Sequence, residues 1–414
     1  MGRAAGLHAD IHKLIGSQAL SKLGDHFTEV ALPLFVLAMT HDNVVAVGLI
    51  MAMAFVPRVA LGWAVAGVID RLNKRYALLT SDIVSAVLVA SIPIVHDFAW
   101  TVAAVFLMYT GSMIYRPLVR AIQPEIAGDP QINIASAARQ QRYFAVAQTG
   151  GYIAAGGLFL LWGVAPAFWI DAGTYLTAAV FIASIRVTPV VWKPISGQPA
   201  NFWRQIGDGY RYLAEASLVA QLAILSALVA LAVGSLNTLL APMPRYVWHV
   251  SSERYVWLVL ALAVGNSISS TVLDRNKLME RYPLRRLLAV GFALTAVGFG
   301  LILATGLWWA GAITLIVAGL GNALYQTALM VWVQQATPVA FRARVLSIRG
   351  VGMGLGGAIG AYGAGWAARA MGLPTVVVIV TALWMILALW VWFSKSMGQS
   401  AKNDSAAQMG KTVV

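Results

Sequence analysis

The sequence predicts an all-α integral membrane protein with twelve transmembrane helices in two pseudo-symmetric six-helix bundles. Three observations predict it. Of 414 residues, 59% are hydrophobic and only 11% charged, where a soluble domain carries about 25% charged residues. Apolar runs of about 20 residues, long enough to cross a hydrocarbon core of about 30 Å, recur from one end to the other. Finally, Lys and Arg crowd into alternate connections between those runs.

Apolar runs bounded by Gly, Pro and charge place spans near 12–39, 44–69, 76–95, 99–122, 134–162 and 166–187. A second set follows near 216–246, 253–274, 285–305, 308–334, 344–370 and 373–394. The expected domains are therefore a first six-helix bundle (1–188), a cytoplasmic linker (189–215), a second bundle (216–397) and a polar tail (398–414). In the linker, Phe202, Trp203, Ile206, Tyr210 and Leu213 recur at helical spacing among Arg204, Gln205, Asp208 and Arg211. That pattern predicts an amphipathic helix lying on the inner leaflet.

The formal charge is +13, which in a soluble protein would suggest a nucleic-acid partner. Its distribution excludes that class. Arg71, Lys74 and Arg75, Arg139 and Arg142, Arg186 to Arg211, Arg275 to Arg286, and Arg342 to Arg349 share one side with both termini. The opposite connections hold only Arg245, Arg254 and Arg369. The asymmetry predicts a multi-pass protein of a bacterial inner membrane with both termini cytoplasmic, in contact with lipid and not with nucleic acid. With no cysteine, disulfides, thiolate metal sites and thiol nucleophiles are excluded. No short leader with a cleavage site is evident, so the first span is expected to be retained.

The two sets echo each other. "GVIDRLNKR" (67–75) closes the second span and "TVLDRNKLMER" (271–281) the eighth, so Asp70-Arg71 recurs as Asp274-Arg275. Parallel halves related by an axis along the membrane normal are a transporter arrangement. Trp100, Trp162, Trp169, Trp248, Trp308 and Trp309 fall at outer span ends, where indole prefers the interface. Gly352, Gly356 and Gly360 predict a face on which another helix packs closely.

The first span differs from the rest by carrying Lys22, Asp25, His26 and Glu29. Facing lipid, Lys22, Asp25, Glu29 and the second span's Arg58 would together cost roughly 10 kcal/mol, so they must face protein or water. Lys22, Asp25 and Glu29 share a helix face by their three- and four-residue spacing, whereas His26 points about 100° from Asp25. Asp25 and Arg58 each lie about 18 Å from the inner end of their helices at 1.5 Å per residue, which predicts that they stand level. One reading is a neutral network tying the first two helices together. The other is proton coupling through Asp25 and Glu29 with Lys22 and Arg58 as cations, because two acids on one face in low dielectric cannot both ionise cheaply. No acid lies deep in a span of the second half, where Asn237, Asn266, Asn322, Tyr325 and Gln326 are the candidates for substrate binding.

Seven segments, "SKLGDHFTEVALPLFVLAMT", "GVIDRLNKR", "SDIVSAV", "IYRPLVRAIQPEI", "FWIDAGTYLTAA", "FWRQIGDGYRYL" and "VQQATPVAFRARVLSI", resemble in content and order the major facilitator superfamily. The branch they resemble most holds the macrolide-efflux and siderophore-exporter-like drug:proton antiporters. The resemblance implies a twelve-helix fold alternating between inward- and outward-open states. It implies a conformational latch at Gly67, Asp70, Arg71 and Arg75, whose aspartate reaches the start of the eleventh helix. Ser85 stands where many relatives carry arginine after the third-helix aspartate.

The expected activity is thus export of an amphipathic small molecule against proton entry, by a monomer with no cofactor and no catalytic residues. An alternative is a ferroportin-like divalent-metal exporter using Asp25, His26 and Glu29 as ligands. A remote one is an intramembrane enzyme such as an acyl-group transferase, which would need a nucleophile and base at one depth.

Overall fold

The computed structural model describes residues 2–61, 72–128, 130–185 and 202–394, and among them every regular element is helical. The first unit, Met1–Gln198 with Ser251–Leu260, contains α1 (Gly2–Met39), α2 (Val44–Met53), α3 (Val56–Leu61), α4 (Lys74–Val95), α5 (Phe98–Ala127), α6 (Pro130–Trp162) and α7 (Ala165–Ala183). The second, Pro199–Val250 with Ala261–Val414, contains α8 (Phe202–Glu215), α9 (Ser217–Leu240), α10 (Met243–Val247), most of α11 (Tyr255–Arg275), α12 (Leu278–Arg281), α13 (Leu284–Gly300), α14 (Trp308–Ala336), α15 (Val339–Met371) and α16 (Leu373–Phe393).

Among the described residues eight helices, α4, α5, α7, α9, α11, α13, α14 and α16, are long and apolar enough to cross a membrane. The chain is an integral membrane protein. Three more, α1, α6 and α15, run 38, 33 and 33 residues and have the length but carry charged and polar side chains within it. The span expected near 44–69 is interrupted where it is described, and its residues 62–69 lie outside the described residues. Its helix breaks after Met53 and resumes at Val56, just before Pro57, whose ring nitrogen cannot donate to the preceding turn. The span expected to reach 246 likewise ends at Leu240, before Pro242 and Pro244.

Polar caps set several helix starts. Asn73 accepts from the Tyr76 backbone N–H at the head of α4, and Asp97 accepts from Trp100 N–H at 2.8 Å at the head of α5. The C-terminal end of α7 is closed by two cations. The Lys13 ammonium donates to the Ser184 carbonyl at 2.8 Å and Arg75 donates to the Ala183 carbonyl, where the helix dipole favours positive charge. Just inside lies an apolar cluster of Ile11, Leu14, Ile15, Leu78, Leu118, Ile122 and Ile182.

In the second unit the glycine run packs as its spacing predicts. A Cβ at Gly356 or Gly360 of α15 would collide with the backbone carbonyl of Ala227 or Leu231 of α9. Ser235 and Thr238 of α9 donate to the Gly360 and Ala361 carbonyls, each at 3.0 Å. The linker helix also packs against its own unit. On α8, Tyr212 stacks on Phe341 of α15 with ring centroids 4.5 Å apart, and Gly209 faces Ile348.

Candidate functional site

The charged stretch of α1 is held in place by two glycine contacts. At Gly24 a Cβ would run into Asp171 and Thr174, so α7 lies directly against α1. At Gly151 a Cβ would lie 3.0 Å from the His26 Cβ and 3.2 Å from the Leu23 carbonyl, so α6 presses on the neighbouring face. These approaches bring two tyrosines within reach of the two acids.

Asp25 accepts from the Lys22 ammonium at 2.9 Å and from the Tyr175 hydroxyl at 2.6 Å. Glu29 shares a hydrogen bond with the His26 Nδ1 at 2.9 Å and accepts from the Tyr152 hydroxyl at 3.2 Å. The His26 ring also sits 4.6 Å from the Tyr152 ring. The two carboxylates share a helix face, as their spacing predicts, yet each belongs to its own hydrogen-bonded group. Glu29 keeps 53% of its side chain accessible and Asp25 31%. A carboxylate so exposed in a membrane-length helix faces water rather than lipid, given the cost of a charge in hydrocarbon.

Three expectations are corrected here. His26 is not off to one side of the cluster: three residues before Glu29, it is that carboxylate's direct partner. Arg58 makes no ion pair with Asp25 or Glu29 and instead lies over the Phe55 ring, 5.5 Å from its centroid. Nor do Asp25, His26 and Glu29 converge as metal ligands, and among the described residues no group of three His, Cys, Asp or Glu is placed to hold a metal ion. Lys22 and Tyr175 already occupy Asp25, which is why the trio cannot close.

Two further acids lie behind this face. Asp171 is buried and accepts from Thr28 of α1 and Thr174 of its own helix, a tie between α1 and α7. Asp82 of α4 is 1% exposed, and its Oδ2 has no hydrogen-bond partner. Sequence reasoning missed Tyr152, Tyr175 and Thr28 as partners. Signals existed in Gly151-Tyr152 and in the four-residue step from Asp171 to Tyr175, but nothing in one sequence says which helices adjoin α1.

In the second unit Gly265 of α11 and Gly319 of α14 meet backbone to backbone. That contact aligns three amides: the Gln326 Nε2 donates to Asn322 at 2.7 Å, and the Asn322 Nδ2 donates to Asn266 at 3.1 Å. Gln326 is exposed while Asn266 and Asn322 are half-buried. The ladder presents unused amide donors and acceptors at its ends. Asn237 is half-buried on α9 and stands apart from it. Tyr325 is corrected as a substrate-binding candidate. It is 1% exposed and packs between Phe292 and Trp384, with ring centroids 5.0 Å away in each case.

Of the latch, Gly67, Asp70 and Arg71 lie outside the described residues. Arg75 is described and bonds within its own unit, to Ala183.

Residues 222–413 match the sequence profile of the Major Facilitator Superfamily. No curated protein matches the chain. Solved structures match over nearly its whole length. A point mutant of the nucleoside transporter NupG superposes with TM-score 0.78 at 14% identity, covering 94% of this chain and 99% of that one. A bacterial homologue of the human lysosomal transporter Spinster gives TM-score 0.71 at 15% identity, covering 96% and 98%. The peptide-transporter-family protein PepTSo gives 0.68 at 14% identity, covering 95% and 98%. The chain has the major facilitator fold.

Proposed function

We propose that this chain is a secondary active exporter that moves an amphipathic small molecule out of the cytoplasm by alternating access, driven by proton entry. The fold and the match of its second half to the superfamily support transport. The observation that carries the coupling is Glu29, a half-exposed carboxylate held inside a membrane span by one histidine and one tyrosine. Such a group can take a proton when its partners turn away, whereas a carboxylate sealed against a fixed cation cannot.

Asp25, with Lys22 and Tyr175, is the second member of the coupling site. Lys22 neutralises Asp25 in the arrangement seen; protonation of either acid would release its partner and bias α1 toward a different contact with α6 or α7. The Asn266–Asn322–Gln326 ladder supplies neutral hydrogen-bonding contacts for the cargo, and Asn237 a further one. The charge asymmetry of the connections supports cytoplasmic termini in a bacterial inner membrane. The latch role of Gly67, Asp70, Arg71 and Arg75 is part of the same reading and rests on the signature "GVIDRLNKR".

The test uses proteoliposomes holding the full chain and a pH-sensitive dye. Macrolides and catecholate siderophores are added under an imposed pH gradient. Cargo movement accompanied by proton flux is expected, and Glu29→Gln should abolish gradient-driven movement while leaving cargo exchange at equal pH. Transport indifferent to the gradient would refute the coupling.

A further inference from the structure

Two arginines of the first unit have no carboxylate partner among the described residues. Arg58 of α3 is half-buried and Arg116 of α5 exposed, and among the described residues neither makes an ion pair or a side-chain hydrogen bond. Arg116 of α5 and Arg58 of α3 stand on helices that pack against each other. Each is the other's electrostatic neighbour, and Arg116 also acts on Lys22.

α5, which carries Arg116, packs against both α1 and α3. Tyr109, seven residues earlier and therefore on the same face, feels Glu29, Asp25, Arg58 and Arg116 together. Among the described residues the three cations Lys22, Arg58 and Arg116 thus lie in one neighbourhood with the acids Asp25 and Glu29. Those two are already engaged, by Lys22 and Tyr175 and by His26 and Tyr152. Asp82 and Asp171, which lie behind this face, are buried. Arg120, one turn toward the cytoplasm from Arg116, is exposed and likewise without an ion pair.

We infer that Arg58 and Arg116 form an oxyanion-binding subsite, and that the transported molecule carries a carboxylate or phosphate group. Guanidinium groups present paired N–H donors that match such oxyanions two at a time. Two like charges side by side inside a membrane span are relieved when an anion bridges them, and Arg120 extends the positive face toward the side from which an exported cargo enters. The inference rests on the transport reading and specifies the chemistry of its substrate. The anion can come from a soluble molecule or from a single-chain lipid headgroup.

The test is thermal stabilisation of the purified full chain at constant ionic strength by matched probes: 2-naphthoate against 2-naphthamide, and lysophosphatidate against monoacylglycerol. At least one anion should stabilise at concentrations at least about tenfold lower than its neutral partner, the scale of a charge-assisted hydrogen bond. R58Q and R116Q should each remove that preference, while the paired lysine variant R58K/R116K, which keeps both charges, retains part of it. Naphthoate alone responding assigns a soluble cargo, lysophosphatidate alone a lipid one. No arginine-dependent preference for either anion, or a preference that survives R58Q/R116Q, overturns the subsite. Proton coupling is read separately from the Glu29→Gln vesicles, so either idea can fail without the other.

Discussion

The two units solve the membrane problem in opposite ways. In the first, α1 meets its neighbours through charge and hydrogen bonds: Lys22–Asp25–Tyr175, His26–Glu29–Tyr152 and Thr28–Asp171. In the second, helices meet backbone to backbone at Gly356, Gly360, Gly265 and Gly319, and the polar groups are neutral amides and hydroxyls. The difference separates what can switch from what cannot. A glycine seam has one close-packed arrangement and loses it all at once, whereas an ion pair or carboxylate bond can be exchanged for a proton.

The largest effect should break the second unit. Gly360→Leu drives a side chain into the Leu231 carbonyl and should cost more than ~3 kcal/mol, seen as loss of monodisperse protein in fluorescence-detected size exclusion. If it folded normally, the seam would be looser than described. Next, Asp171→Ala leaves the buried Thr28 hydroxyl unpaired and should destabilise the first unit by ~2 kcal/mol. A double-mutant cycle with Thr28→Val, read by melting temperature, should recover coupling of ~1 kcal/mol; zero coupling would mean that the α1–α7 tie is not energetic. Asn322→Ala cuts the amide ladder at its centre and should weaken cargo binding by about fivefold, ~1 kcal/mol, with melting nearly unchanged. Smallest of all, Tyr325→Phe should shift neither stability nor transport by more than ~0.5 kcal/mol, since the buried hydroxyl meets no hydrogen-bond geometry among the described residues. A large loss of transport there would return Tyr325 to the substrate path.

Much of the fold was legible because the bilayer reduces the question to one variable. A span must be apolar and about 20 residues long, a property read along one segment, whereas the break before Pro57 was not read from it. The glycine face of α15 was legible for the same reason, since four-residue spacing alone creates it. The site was legible only in part. Asp25 and Glu29 stood out because charges in a span are expensive, and Lys22–Asp25 followed from a three-residue spacing. The pairing of His26 with Glu29 was available by the same rule but was obscured by comparing His26 with Asp25.

The sequence by itself determined which segments are long and apolar enough to enter a membrane and which long helices carry charge, because those properties depend on composition along one helix. Only the tertiary structure decided who answers those charges: that Tyr175 and Tyr152 reach the two acids, that Arg58 stays free of them, and that Tyr325 closes into an aromatic core. Partners on different helices are chosen by which backbones can approach, and that depends on small residues such as Gly24 and Gly151 meeting surfaces more than 100 positions away in sequence.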